Sequence, residues 1–115
     1  DEIRDMVANY GIPPALPVEG PSGTQIDVDF QAMFDGSVET SFTDAGVFAA
    51  DGETRFWTGS NADGSVTNVN CQGWTNDTSG GGAQGAGTAG DGSGFAWGIA
   101  SLFCDGQAPL VCVCW

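Results

Sequence analysis

The chain has 115 residues, the size of one domain, with 41% hydrophobic residues and a formal charge of −13. Fifteen Asp and Glu face two arginines, Arg4 and Arg55, with no Lys and no His, so the surface repels nucleic acid, anionic membrane and sulfated glycans such as heparin. The missing His and Lys remove the common general bases, Schiff-base amines and nucleophile triads, and no apolar run approaches the roughly eighteen residues of a membrane span.

Residues 1–10 read as a short helix. Ile3, Met6, Val7 and Tyr10 share one face. Asp1, Glu2 and Asp5 lie at the end where the helix dipole favours acids. Gly11 can cap it, and Pro13-Pro14 cannot continue it. Residues 12–23, rich in proline and glycine, predict an extended connection with a turn at Pro21-Ser22-Gly23. Residues 25–29 predict a short strand or bridge. Residues 29–34 then read as a helical turn or two, with Asp29 as N-cap, Phe30, Met33 and Phe34 inward, and Gly36 ending it. Val38, Phe42 and Val47 anchor the loops that follow.

Asp-Gly recurs at 35–36, 51–52, 63–64, 91–92 and 105–106. Each is a turn signal, because Gly tolerates positive φ and Asp bonds its own turn backbone. Strands are expected at 47–50, 55–57, 95–100 and 110–115, joined by hairpins and loops. Residues 79–94 are glycine-rich. The apolar strands on either side favour an internal loop over a flexible linker. No period of a solenoid repeat is present.

All four cysteines and all four tryptophans fall within residues 56–115. Four cysteines allow three pairings, and an all-thiolate zinc site lacks its usual Cys-x-x-Cys knuckles, so disulfides in an oxidising, extracellular compartment are expected. A chain opening at Asp1 without a signal segment is what a processed product would show. A Cys71–Cys104 bond would stabilise by roughly 2–4 kcal/mol. Cys112 and Cys114 share one face of a strand, where a Cys-x-Cys bond would strain the geometry. A partner for Cys112 outside this chain is the other option.

Two clusters are candidate binding sites. Asn61-Ala62-Asp63-Gly64-Ser65 has the donors of a calcium loop at Asn61 and Asp63, but Gly59 stands where a preceding acid belongs and no Glu closes it. An Asx-stabilised turn is the other reading. Trp74, Asn76 and Asp77 set an aromatic beside an amide and a carboxylate, the mix of a sugar site, although Trp74 so near Cys71 also suits core packing. Asn76-Asp77-Thr78 is a glycosylation sequon, used if the host is eukaryotic. Paired carboxylates of a small acid hydrolase arise by chance in so acidic a chain. The glycine tract lacks the strand–turn–helix setting of a phosphate or dinucleotide loop.

At four points the chain resembles the endostatin-like branch of the C-type-lectin-like fold, which includes the C-terminal domain of certain collagens and bacterial surface proteins of unassigned function. Phe30-Gln31-Ala32-Met33-Phe34-Asp35-Gly36-Ser37 is similar to the family's Trp/Phe-x-x-Leu-Phe-x-Gly-Ser turn. Phe56-Trp57-Thr58-Gly59-Ser60 is similar to its Val-Trp-x-Gly-Ser strand end, and Cys71-Gln72-Gly73-Trp74 to its Cys-x-x-Trp. Cys104 and Cys112 match its closing pair. The resemblance implies an α+β fold, with short helices on a small twisted, mostly antiparallel sheet, long loops and a disulfide tie. It implies that Cys71 pairs with Cys104. It also implies that Cys112 pairs with a cysteine on an upstream helix absent here, as the family's opening strand and first helix are. Cys114 has no counterpart in the collagen members. Their histidine-bound zinc and arginine-bound heparin cannot be carried over.

Residues 1–115 are therefore expected to form a single C-type-lectin-like domain serving as a non-catalytic extracellular module of surface attachment, matrix structure or recognition, with no cofactor. The alternative is a calcium-assisted, glycan-binding lectin, and a small acid hydrolase stands third. The edge Leu110 to Trp115 is expected to need cover from an N-terminal fragment or a neighbouring subunit.

Overall fold

The computed structural model describes residues 2–48, 55–68, 71–75, 78, 86–88 and 103–115. The protein is α+β. A 3-10 turn, Ile3–Asp5, leads into helix α1, Met6–Tyr10. Strands β1, Val18–Glu19, and β2, Gln25–Asp27, pair antiparallel. A second 3-10 turn, Ala32–Phe34, follows. Strands β3, Arg55–Trp57, and β4, Ala86–Thr88, form a second antiparallel pair. The ladders among the described residues are thus two separate two-stranded ones, where one small sheet is expected. The expected strand at 95–100 lies outside the described residues.

The N-terminal helix ends as its sequence predicts, with Gly11 in the left-handed region at φ 71°. Ile3, Met6 and Val7 pack against the core, but Tyr10 is 53% exposed and does not share their face. The cause is the 3-10 opening. At about three residues per turn it shifts the phase between Ile3 and Tyr10 away from an α-helical stripe.

Residues 12–17, expected to be extended, instead turn at 14–15 before the β1–β2 hairpin begins at Val18. Its turn is closed by Gly23 N–H to Gly20 O at 2.9 Å, and Gly20 N–H to Thr24 O at 2.9 Å. Gly23 takes φ 80°, the left-handed conformation of a three-residue hairpin loop. Gly20 is needed for a different reason. A Cβ there would lie 2.0 Å from the carbonyl oxygen of Ala45, so the hairpin rests backbone to backbone on the next segment.

The sequence predicts loop for that next segment. It is instead one helical turn with both ends capped. Ser41 Oγ accepts from Asp44 N–H at 3.0 Å, the N-cap bond. At the other end Val47 N–H bonds Phe42 O at 2.8 Å and Gly46 N–H bonds Thr43 O at 3.0 Å, with Gly46 at φ 76°. These are the paired bonds of a Schellman cap. They aim Phe42 and Ala45 inward, at 1% and 0% exposure. The same device opens the preceding turn, where Asp29 Oδ1 accepts from Ala32 N–H at 2.9 Å. Residues 47–48 consequently bend and form no strand.

The core comprises Ile12, Ile26, Phe30, Met33, Val38, Phe42, Ala45 and Phe56. Phe34, expected inward, is half-buried and meets Phe30 edge-on at 5.2 Å between ring centroids. Phe56 lies 5.3 Å from both Phe42 and Phe48. β4 falls inside the stretch expected as an internal glycine-rich loop, and its residues pair with β3 from Arg55↔Thr88 to Trp57↔Ala86. Glycine there lets two backbones approach without side-chain interference. Of the expected strand at 110–115, Leu110 alone is bridged, in parallel, to Trp57.

Gly20→Ala forces a methyl into the Ala45 carbonyl, so urea denaturation should show a loss of about 1–3 kcal/mol. A variant as stable as the parent would show that the hairpin is not seated there.

Candidate functional site

Cys71 and Cys104 are joined by a disulfide, with Cα atoms 5.6 Å apart across a sequence separation of 33. Cys71 is 6% exposed. Its backbone is unusual. Cys71, Gln72 and Gly73 all have positive φ, at 55°, 56° and 72°, so residues Cys71–Trp74 make a left-handed turn. Thr75 N–H bonds Cys71 O at 3.1 Å and Thr75 Oγ1 donates to Gln72 O at 2.7 Å, which holds the turn shut. Each L-residue in that conformation costs roughly 1–2 kcal/mol. Gln72→Gly should therefore stabilise the fold by up to about 1 kcal/mol, after the larger chain entropy of glycine is subtracted. A thermal melt that moves down instead would place a needed contact on the Gln72 side chain.

The turn carrying Asn61 and Asp63 is tightly bonded internally. Asn61 N–H reaches Ser65 O at 2.8 Å, and Gly64 N–H returns to Asn61 O at 2.9 Å. Asp63 Oδ1 accepts from Ser65 N–H at 3.0 Å and from Ser65 Oγ at 2.6 Å. Its other oxygen faces Arg4 at 3.3 Å. The Ser65 hydroxyl, then the Ser65 amide, hold the Asp63 carboxyl below the usual carboxylate range. Gly64 packs so closely that a Cβ would sit 2.8 Å from Arg4 Cβ and 2.9 Å from Phe34 Cδ1. The turn thus packs on Arg4 and Phe34, and both carboxylate oxygens of Asp63 already have partners. Among the described residues no three His, Cys, Asp or Glu gather where they could hold a metal ion.

Asp27 is the acid that the sequence did not single out. It is 5% exposed and accepts from Val28 N–H at 2.8 Å. Burial pushes its carboxyl above the ordinary 3.8, and the negative charges of Asp35, Glu39 and Asp29 add to this against the Val28 bond. A raised carboxyl pKa means that the protonated form suits the fold. Its stabilising contribution is complete below 3.8 and is lost as pH rises through the folded value. Asp27→Asn keeps an acceptor for Val28 and removes the buried charge. Urea melts between pH 4 and pH 7 should show a gain at neutral pH and a flatter profile just above 3.8. An unchanged profile would remove Asp27 as its source.

Trp74 closes the left-handed turn, while Asn76 and Asp77, the other two members of the sugar-type cluster, lie outside the described residues. The same holds for Asn76 as a glycosylation acceptor.

Residues 110–115 form the remaining feature. Trp57 N–H bonds Pro109 O at 3.0 Å, and the chain then runs past β3 without a ladder. Val111 and Val113 pack on the core, whereas Cys112 and Cys114 are exposed free thiols with no bond between them. A groove of about 430 Å3 opens between this segment and residues 12–21. Phe30, Met33 and Phe42 contribute to its lining. No sequence signal announced the groove, since its walls come from the two ends of the chain.

No family model, curated protein or solved structure matches the chain.

Proposed function

We propose that the chain is a non-catalytic extracellular module of the C-type-lectin-like, endostatin-like kind, serving surface attachment, matrix structure or recognition. The observation that supports this most is the pairing of one buried-side cystine with an uncovered apolar edge. Cys71–Cys104 closes the loop-rich half, and Leu110 to Trp115 exposes Leu110 and Trp115 beside an apolar groove. Structural cystines belong to oxidising compartments. An apolar edge that lacks a ladder over 111–115 among the described residues suits a protein that works by being assembled with something else, an N-terminal fragment or a neighbouring subunit, with glycan or matrix as a further contact.

Asp27 is the one buried acid among the described residues, and a hydrolase of the two-carboxylate kind needs a facing pair roughly 5–9 Å apart. Secreted through an oxidising compartment, the chain should emerge with Cys71 and Cys104 bonded, and reductant should lower its unfolding free energy by about 2–4 kcal/mol. Calorimetry with calcium and a glycan array read with and without calcium complete the test. Heat on calcium addition together with calcium-dependent glycan signal would replace this reading by the lectin one. Emergence with Cys71 and Cys104 reduced would remove the extracellular assignment.

A further inference from the structure

Residues 110–115 read Leu-Val-Cys-Val-Cys-Trp and carry no charged side chain, in a chain of formal charge −13. Their side chains alternate as in a strand. Val111 and Val113 are half-buried against the core, while Cys112 and Cys114 are exposed. Leu110 is 73% exposed and Trp115 is 60% exposed, so the apolar surface continues at both ends. Among the described residues the backbone of 111–115 makes no hydrogen bond to another strand. Residues 111–115 also form one wall of the groove alongside. Extended, apolar backbone with unused donors and acceptors is a template for pairing with another strand.

What should pair with it follows from the segment itself, which is complementary to a second copy. Set two such strands antiparallel, with Val113 on the two-fold axis. Cys112 of each copy then stands opposite Cys114 of the other, and Val111 opposite Trp115. Residues directly opposite in an antiparallel pair have Cα atoms about 4.5–5.5 Å apart. A disulfide spans Cα separations of about 4.4–6.8 Å. Both thiol pairs fall on the outward face, because positions two apart share a face. Charge agrees with this placement. Two strongly acidic bodies repel, and this segment offers a contact free of like charges.

We infer that residues 110–115 are the interface of a homodimer, paired antiparallel about Val113 and locked by two Cys112–Cys114 bonds between the copies. The inference rests on reading this edge as an assembly surface. The oxidant is a low-mass disulfide such as oxidised glutathione. A Cys thiolate attacks it, one small thiol leaves, and the facing thiolate displaces the second small thiol as the protein bond forms. Each interchain bond thus consumes two protein thiols and one small disulfide, and releases two small thiols.

The test uses the full chain and two variants, Cys112→Ser and Cys114→Ser, in a glutathione redox buffer that leaves Cys71–Cys104 intact. Products are read by non-reducing electrophoresis and intact mass. The unmodified chain should become a covalent dimer, and its yield should rise with added salt as the acidic bodies are screened. Each variant alone should remain a monomer, because its single remaining thiol faces serine. Mixed together, the two variants should yield a heterodimer joined by one bond. Dimerisation of either variant by itself would overturn the register. A monomer of the parent chain with an internal Cys112–Cys114 bond, with glutathione on each thiol, or with a different chain bound at the edge would overturn the interface. None of these outcomes touches the extracellular assignment, which is judged on Cys71–Cys104 and on glycan binding.

Discussion

Phe56 is completely buried, with its ring 5.3 Å from the centroids of both Phe42 and Phe48. The other members of the described core, from Ile12 to Ala45, come from the first half of the chain. This ring joins strand β3 to that core, while Val111 and Val113 bring the C-terminal segment onto it. Strand β3 runs where Phe56 places it. β4 pairs with β3, Pro109 and Leu110 meet Trp57, and the segment leading to the free thiols follows from there. Aromatic side chains suit this duty, since a single ring removes a large apolar area from water and packs with specific ring geometry. The disulfide ties the later half to itself, from Cys71 to Cys104, across glycine-rich sequence that offers little apolar area to bury.

Local chemistry was legible in the residues where each signal stands by itself. Gly11 after an amphipathic stretch, proline before the β1–β2 turn, and Asp29 three residues ahead of Ala32 each act through bonds within a few positions. Phe30 and Met33 are buried as their helical spacing suggests, and Val38 and Phe42 as apolar anchors of the loops that follow. Tyr10 escaped because a 3-10 opening changes the period that the prediction assumes. Ser41-Phe42-Thr43-Asp44-Ala45-Gly46 held an N-cap serine and a C-terminal glycine that could have revealed the capped turn. Four residues between caps are too short for periodicity to register, so the sequence alone carries Val47 onward into a strand.

The candidate sites were legible to different degrees. The bonds around Asn61 and Asp63 connect neighbours in sequence, and the clasp on Arg4 and Phe34 does not. The buried acid Asp27 looked like any other of the many acids, because its environment is set by chain segments far from it. The groove is of the same kind, with one wall from residues 12–21 and the other from 111–115. A sequence can announce a turn by its residues. Contacts between distant segments depend on the packing that brings them together.

The doubly capped turn at 41–47 has a consequence for how the molecule is made. Its bonds close over six residues, the hairpin from Val18 to Asp27 spans ten, and Gly20 on Ala45 joins them across a separation of 25. Short loops cost little chain entropy to close. This N-terminal portion can thus collect most of its core while the remainder of the polypeptide is still being synthesised, leaving Phe56 to dock onto a surface that already exists. Maturation would then run from a locally wired first half to a covalently sealed second, in the direction of translation.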